Sequence, residues 1–398
     1  MSPVPRLKDY RGPALLSYGF RPFFLLGAVF AGLAILAWLP MFSGELTLST
    51  AFGPIDWHVH EMLYGYLPAV VTGFLLTAIP NWTGRLPLQG MPLLTLVAVW
   101  LAGRAAVTFS AEIGWLSAAI IDVSFLILVV AATAREIVAG NNWRNLRVVA
   151  MVTLLLAGNI AFHLEAHFNG SAEYGARIGI AAIVLLLAVI GGRIIPSFTR
   201  NWLARENPGR LPVSFGRFDV VVILLSAVTL ALWTALPSGK ITAAALTATG
   251  ALHIVRLARW AGDRTWRDRL VLILHVGYAF VPFGFLLAGA AAVDIVVTSA
   301  GIHAWTVGAA GTMTLAVMTR ASLGHTGKAL TASALTQVIY AAVVIAALAR
   351  ICSSLEPAWS ELLLQISALA WVAAFFGFAA SFGPLLIGAQ WAKKPQQS

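Results

Sequence analysis

Long apolar runs, bounded by charged residues, proline or glycine, alternate with short polar segments along the whole chain. Most are about 20 residues long, the length of an α-helix that crosses the hydrocarbon core of a bilayer. Backbone groups in lipid must bond within their own segment, so such runs predict transmembrane helices. The pattern predicts twelve of them: 18–41, 58–80, 92–109, 113–134, 146–168, 175–195, 218–236, 241–260, 270–292, 301–319, 331–350 and 359–391.

The composition agrees with a chain that lies mostly in lipid. Of its 398 residues, 59% are hydrophobic and 11% are charged, whereas soluble domains carry about 25% charge. This deficit excludes an ordinary cytosolic enzyme, a disordered protein and a nucleic-acid-binding domain. We therefore predict an all-α, polytopic membrane bundle in which residues 1–398 form a single integral membrane domain.

The net charge of +10 is explained by topology. With the N-terminus inside, the outer segments hold few of the 26 lysines and arginines: Arg104, Arg177, Lys240 and Arg350. This asymmetry is a strong positive-inside signal and predicts that both termini are cytoplasmic. The basic residues then face the anionic lipid of the inner leaflet, and no nucleic-acid partner is needed to explain them.

The second and tenth predicted spans share residues at a fixed spacing, which is typical of an internal repeat. The matched pairs are His60 and His303, Gly65 and Gly308, Ala78 and Ala321, Thr83 and Thr326, and Gly84 and Gly327. The sixth span fits the same frame more weakly. One interpretation is three four-helix units near 1–135, 136–260 and 261–398; the other is chance similarity between apolar helices.

Five of the eight histidines share one membrane level near the outer face. They are His58, His60, His163, His167 and His303. Ionisable groups inside a bilayer are costly and usually face a cavity, a partner or a metal. A lone histidine in a span is more often a polar residue bonded to a carbonyl, but five at one depth favour metal binding. The other three histidines are assigned to ordinary packing or loop positions.

The spacing of these histidines suggests how they would act. His163 and His167 lie four residues apart on one helix face, which is a spacing for two ligands of one metal. His58 and His60 lie two residues apart, so their rings point to opposite faces of a helix, about 200° apart. One of them could ligate a haem while the other serves a second metal or a hydrogen bond.

Neutral imidazole suits haem iron and copper. Cys352 is the single cysteine and no Cys-x-x-Cys-His motif is present, so we expect a haem of the b type. Arg104, Arg177 and Arg350 lie at the histidine level and could bind haem propionates, or they could be simple interfacial anchors. Asp122 falls within a span, as a helix-end polar group or a proton carrier.

Several motifs resemble the NnrS family over essentially the whole chain. The most specific is Trp57-His58-Val59-His60-Glu61-Met62. Others are the Tyr-Gly-Phe-Arg-Pro-Phe-Phe element at 18–24, the Gly-Phe-Leu-Leu-Thr-Ala-Ile-Pro-Asn-Trp-Thr-Gly element at 73–84, Gly158-Asn159, and the segment 193–201. The resemblance implies a twelve-span bacterial inner-membrane protein with haem and copper, linked to nitric oxide metabolism and nitrosative stress.

A fainter likeness relates the chain to the catalytic subunit of haem-copper oxidases and nitric oxide reductases, which also has twelve spans in three arcs. His58, Met62 and the Asn81-Trp82 pair echo the second span of that subunit, and His303 matches its tenth. This chain departs from the pattern because its sixth span has no histidine. We therefore expect His58, His60 and His303 to supply the haem ligands, and His163 with His167 to bind copper.

The first functional hypothesis is a redox metalloprotein that binds or reduces nitric oxide, or another small gas ligand, at this outer level. Such an oxidoreductase would receive electrons from quinol or from a partner protein, because the chain has no soluble cofactor domain. Two alternatives stay open: a secondary transporter, and a haem-bearing sensor or assembly factor that does not turn over.

Overall fold

The computed structural model describes residues 10–388, and within this range the chain is helical with no β-strand. Twelve long helices follow one another with short connections. They are α1 (Phe20–Phe42), α2 (Pro54–Thr83), α3 (Met91–Thr108), α4 (Trp115–Ala139), α5 (Leu146–Asn169), α6 (Glu173–Glu206), α7 (Arg217–Ala235), α8 (Lys240–Ala258), α9 (Arg269–Ala291), α10 (298–325), α11 (Ala334–Leu355) and α12 (Ser360–Ile387).

Eleven helices of the described range are long and apolar enough to cross a membrane. The exception is α10, which is as long as its neighbours but carries His303, Arg320, His325 and several threonines. The prediction of an all-helical, multi-pass membrane protein is therefore confirmed. The count of twelve crossings and the cytoplasmic termini stay predictions.

Helices α2, α6 and α10 meet one another in the bundle. The Tyr66 hydroxyl of α2 donates to Thr314 Oγ1 of α10 at 2.5 Å, and the Tyr64 hydroxyl donates to the Gly175 carbonyl of α6 at 2.6 Å. In the core, Trp371 of α12 donates from Nε1 to the Ala31 carbonyl of α1 at 3.0 Å. The last helix thus packs against the first.

The same three helices each contain a π-helical segment: Glu61–Tyr66, Leu187–Gly191 and Ala304–Gly311. Such segments change the backbone bonding pattern and are frequent at functional sites. Those of α2 and α10 begin directly after His60 and His303, the histidines that the sequence comparison aligns. The four-helix repeat itself stays a prediction.

Glycine lets α6 approach α5 closely near the end of the bundle that the sequence predicts to face outward. A Cβ atom on Gly175 would lie 2.5 Å from the backbone nitrogen and Cα of Phe162. Because backbone atoms cannot move aside as a side chain can, we expect Gly175→Ala to lower the free energy of unfolding by about 1–3 kcal/mol, despite the better helix propensity of alanine.

Thermal and denaturant unfolding in detergent would measure this loss. The matched control is Gly53→Ala, since a Cβ atom on Gly53 meets nothing within 4 Å. Gly53 precedes α2 as its N-cap, where alanine is a poorer cap than glycine, so this exchange is expected to cost less than about 1 kcal/mol. Equal losses in the two variants would show that close packing at Gly175 does not matter.

Candidate metal centre

Six buried polar side chains from four consecutive helices form one cluster. We call it the outer polar cluster, because it lies at the end of the bundle that the sequence predicts to face outward. It consists of His60 and Glu61 of α2, Arg104 of α3, Asp122 of α4, and Asn159 and His163 of α5. Each is at most 6% exposed. Burying polar groups among membrane helices costs free energy unless they form hydrogen bonds or ion pairs with one another or bind a ligand.

Local sequence spacing and small residues place these groups together. Asn159 and His163 lie four residues apart and therefore share the buried face of α5. A Cβ atom on Gly103 would lie 3.1 Å from Asp122 Oδ1, and one on Gly65 would lie 3.0 Å from Glu61 Oε2. Glycine at these two positions therefore gives the carboxylates room.

Asp122 is the centre of the cluster. Its Oδ2 accepts a hydrogen bond from Asn159 Nδ2 at 2.8 Å, and lies 3.0 Å from His163 Nε2 and 3.2 Å from His60 Nε2. Its Oδ1 accepts from the Arg104 guanidinium. Two imidazole nitrogens therefore converge on one carboxylate oxygen.

Glu61 and Arg104 complete the network. Glu61 Oε1 accepts from Arg104 at 2.7 Å and lies 3.1 Å from His60 Nδ1, while Glu61 Oε2 is buried without a hydrogen-bond partner. With neutral imidazoles the cluster holds two carboxylates and one guanidinium. The resulting negative charge favours a bound cation.

The donor set fits a transition metal. One ligand atom each from His60, Asp122 and His163 lie within 4.8 Å of one another, and two imidazoles with one carboxylate suit copper, iron or zinc. Both ring nitrogens of His60 face acceptor oxygens, at 3.1 Å each from Glu61 and Asn159. A neutral imidazole has one N–H only, so one ring nitrogen of His60 faces an oxygen with no hydrogen between them. A proton or a metal ion at that nitrogen would remove this repulsion.

The two histidines of the Trp-His-x-His element lie in different surroundings, as their spacing predicts. His60 belongs to the outer polar cluster, whereas the His58 ring stacks on Trp38 of α1 with the centroids 4.2 Å apart. His58, His303 of α10 and Arg350 of α11 are near enough to interact electrostatically. A second group of chemistry-bearing residues therefore lies on the other side of α2.

The His58–His303 group offers free imidazole nitrogens. His303 Nδ1 donates to the Ser299 carbonyl at 2.6 Å, a contact that fixes the ring and leaves Nε2 for a ligand. His58 Nδ1 is buried and has no hydrogen-bond partner among residues 10–388. Arg350 donates to the hydroxyls of Ser353 at 2.8 Å and Ser354 at 3.2 Å.

The structure separates other residues that the sequence grouped. His167 is exposed and stacks on Trp115 with the ring centroids 4.0 Å apart. The helix spacing predicts His167 as the partner of His163, but the residues near His163 are Asp122 and His60. Arg104 is engaged by Glu61 and Asp122 inside the outer polar cluster. Arg177 donates to the Thr234 carbonyl at 3.1 Å.

The remaining histidines make ordinary contacts. His253 lies 2.8 Å from the Ser226 hydroxyl and 3.0 Å from the Tyr278 hydroxyl, and His275 lies 2.8 Å from the Thr199 hydroxyl. The ring of His325 packs against two aromatic rings near the start of α1.

Sequence reasoning missed the part played by Glu61, Asn159 and Asp122. The sequence indicates a helix-end polar group or a proton carrier at Asp122, and no metal ligand. An acidic residue inside an apolar run is itself a signal for a partner, but the sequence does not say which helix supplies that partner.

A known protein family accounts for nearly the whole chain. The family model described as NnrS protein matches residues 14–390, nearly the whole chain. No curated protein matches the chain.

Proposed function

Since the chain belongs to the NnrS family, we propose that it is a haem- and copper-containing inner-membrane protein of bacterial nitric oxide metabolism and nitrosative stress, which binds or reduces nitric oxide. The observation that carries the proposal is the convergence of His60, His163 and Asp122, whose ligand atoms lie within 4.8 Å of one another. These three residues would hold the copper ion.

The second group supports a haem site. His303, whose Nδ1 is held by the Ser299 carbonyl, or His58, whose buried Nδ1 has no partner among the described residues, would supply a nitrogen ligand to the haem iron. Arg350, which donates to two serine hydroxyls, would bind a propionate. Haem iron supplies a binding site for nitric oxide and a one-electron couple.

The membrane setting suits this role. Nitric oxide is small and apolar, so it can reach a buried site from lipid. Reduction would require electrons from quinol or a partner protein, because the chain itself is almost entirely membrane helix. Anaerobic nitric oxide consumption with an added reductant would separate an oxidoreductase from a protein that only binds the gas.

Copper content tests the proposed ligands. We expect His60→Ala and His163→Ala to reduce copper in the purified protein to the background of a metal-free sample, because each removes one of the two imidazoles. Elemental analysis of the detergent-purified variants gives the copper-to-protein ratio.

His167→Ala is the matched control, since His167 is exposed and stacked on Trp115. We expect it to keep the copper of the unmodified chain. Loss of copper in His167→Ala, with retention in His60→Ala, would instead support a site built from His163 and His167. A purified protein with neither copper nor a Soret band would overturn the proposed function.

A further inference from the structure

The connection between α1 and α2 passes over the outer polar cluster. We call residues 43–53 the outer strap. Most of the strap is exposed, but the Phe52 side chain is half-buried. Its ring centroid lies 5.2 Å from that of His60, 5.5 Å from that of His163 and 5.6 Å from that of Phe162. One aromatic ring therefore covers both candidate metal-binding imidazoles.

The strap forms hydrogen bonds with the turn that follows α3. The Ala51 N–H donates to the Ser110 hydroxyl at 2.8 Å, and Thr50 Oγ1 lies 3.3 Å from the same hydroxyl oxygen. Next to this contact, the Ala111 N–H donates to the Ser49 carbonyl at 2.9 Å. Ser110 is buried and lies between α3 and α4.

The helices around the cluster are harder to displace than the strap that covers it. On the sides the cluster is enclosed by α2, α3, α4 and α5, and the fully buried rings of Tyr64 and Phe162 lie against His60. Parting these helices would disrupt the core of the bundle. Lifting the strap would break a few hydrogen bonds and the packing of the Phe52 and Leu48 side chains, and segments of this kind open locally at low free energy.

We propose that Phe52 is the gate of the metal centre, through which a divalent metal ion reaches His60 and His163 from the aqueous phase when the outer strap lifts. The proposal rests on the metal centre of the proposed function. Phe52 is thus an access-controlling residue and not a ligand. It sets the rate at which a metal ion enters and leaves, while the ligands set how tightly the ion is held.

Metal exchange provides the first test. Protein loaded with Cu²⁺ is mixed with excess EDTA, and the copper that stays bound is measured over time. We expect Phe52→Ala to release copper about three- to tenfold faster, which corresponds to the loss of an aromatic contact, at unchanged initial copper content. Ser110→Ala loosens the anchor and is expected to change the rate in the same direction.

Phe168→Ala is the matched control. Phe168 is an aromatic residue near the same end of the bundle, but it is 71% exposed and packs on His167 and Trp115. Its removal is expected to leave the release rate unchanged. Release at the original rate in Phe52→Ala, or equal acceleration in Phe168→Ala, would overturn the gate.

Thiol labelling tests access without any metal. His163→Cys is introduced together with Cys352→Ser, which removes the natural exposed thiol, and the chain is treated with a water-soluble methanethiosulfonate reagent. Phe52→Ala is expected to speed labelling of the introduced thiol, whereas Phe168→Ala leaves it unchanged. Equal labelling rates would refute the gate even if copper binds, and faster labelling would support it even if copper does not.

Discussion

Replacing Asp122 with alanine is expected to lower the free energy of unfolding by about 3–5 kcal/mol, the usual consequence of removing one partner from a buried ion pair. Asp122 accepts from Arg104 and Asn159 and lies 3.0 Å from His163 Nε2. Without the carboxylate these groups lose their acceptor in a place that water does not reach. In lipid an unsatisfied polar group has no other partner.

A double-mutant cycle with Arg104→Leu separates the interaction energy of the Arg104–Asp122 ion pair from the energy that each side chain contributes by packing alone. Arg104→Leu leaves Glu61 and Asp122 without their guanidinium, so this variant is also expected to be strongly destabilised. If the pair acts as a unit, the double variant costs less than the sum of the two single variants. Strict additivity would contradict the pairing.

Glu112→Ala is the control for removal of a carboxylate from the same region. Glu112 is exposed and follows the turn after α3, so its removal is expected to change the free energy of unfolding by no more than about 0.5 kcal/mol. Equal losses for Asp122→Ala and Glu112→Ala, measured by unfolding in the same detergent, would show that the outer polar cluster does not stabilise the fold.

The helices could be predicted from hydropathy because burial in lipid dictates apolar runs, but their ends could not. The second run predicts 58–80, whereas α2 is Pro54–Thr83. It begins at a proline in the first turn and ends before Gly84, which has a left-handed φ of 70°. These ends are set by turn residues, which the hydropathy pattern does not detect. The hydropathy of α10 is lower than that of the other helices because several of its buried residues are threonines.

The candidate site was partly predictable for a similar reason. Helix periodicity alone indicates that His58 and His60 face apart, and the structure shows them in different surroundings. Periodicity also groups His163 with His167, but it carries no information on the neighbouring helix. Asp122 of α4 reaches His163, while His167 lies one turn further along, where α5 leaves the bundle and Trp115 is its neighbour.

Replacing His303 with alanine is expected to remove most of the haem from the purified protein, because the Ser299 carbonyl fixes the His303 ring through Nδ1 and leaves Nε2 to ligate the iron. The pyridine haemochrome assay and the Soret band measure the loss. His325→Ala, on the same helix but packed against Tyr18 and Phe20, is expected to keep its haem. His60→Ala is the decisive comparison: full haem in His303→Ala, with haem lost from His60→Ala, would place the haem on the other face of α2 and contradict the assignment of the two sites.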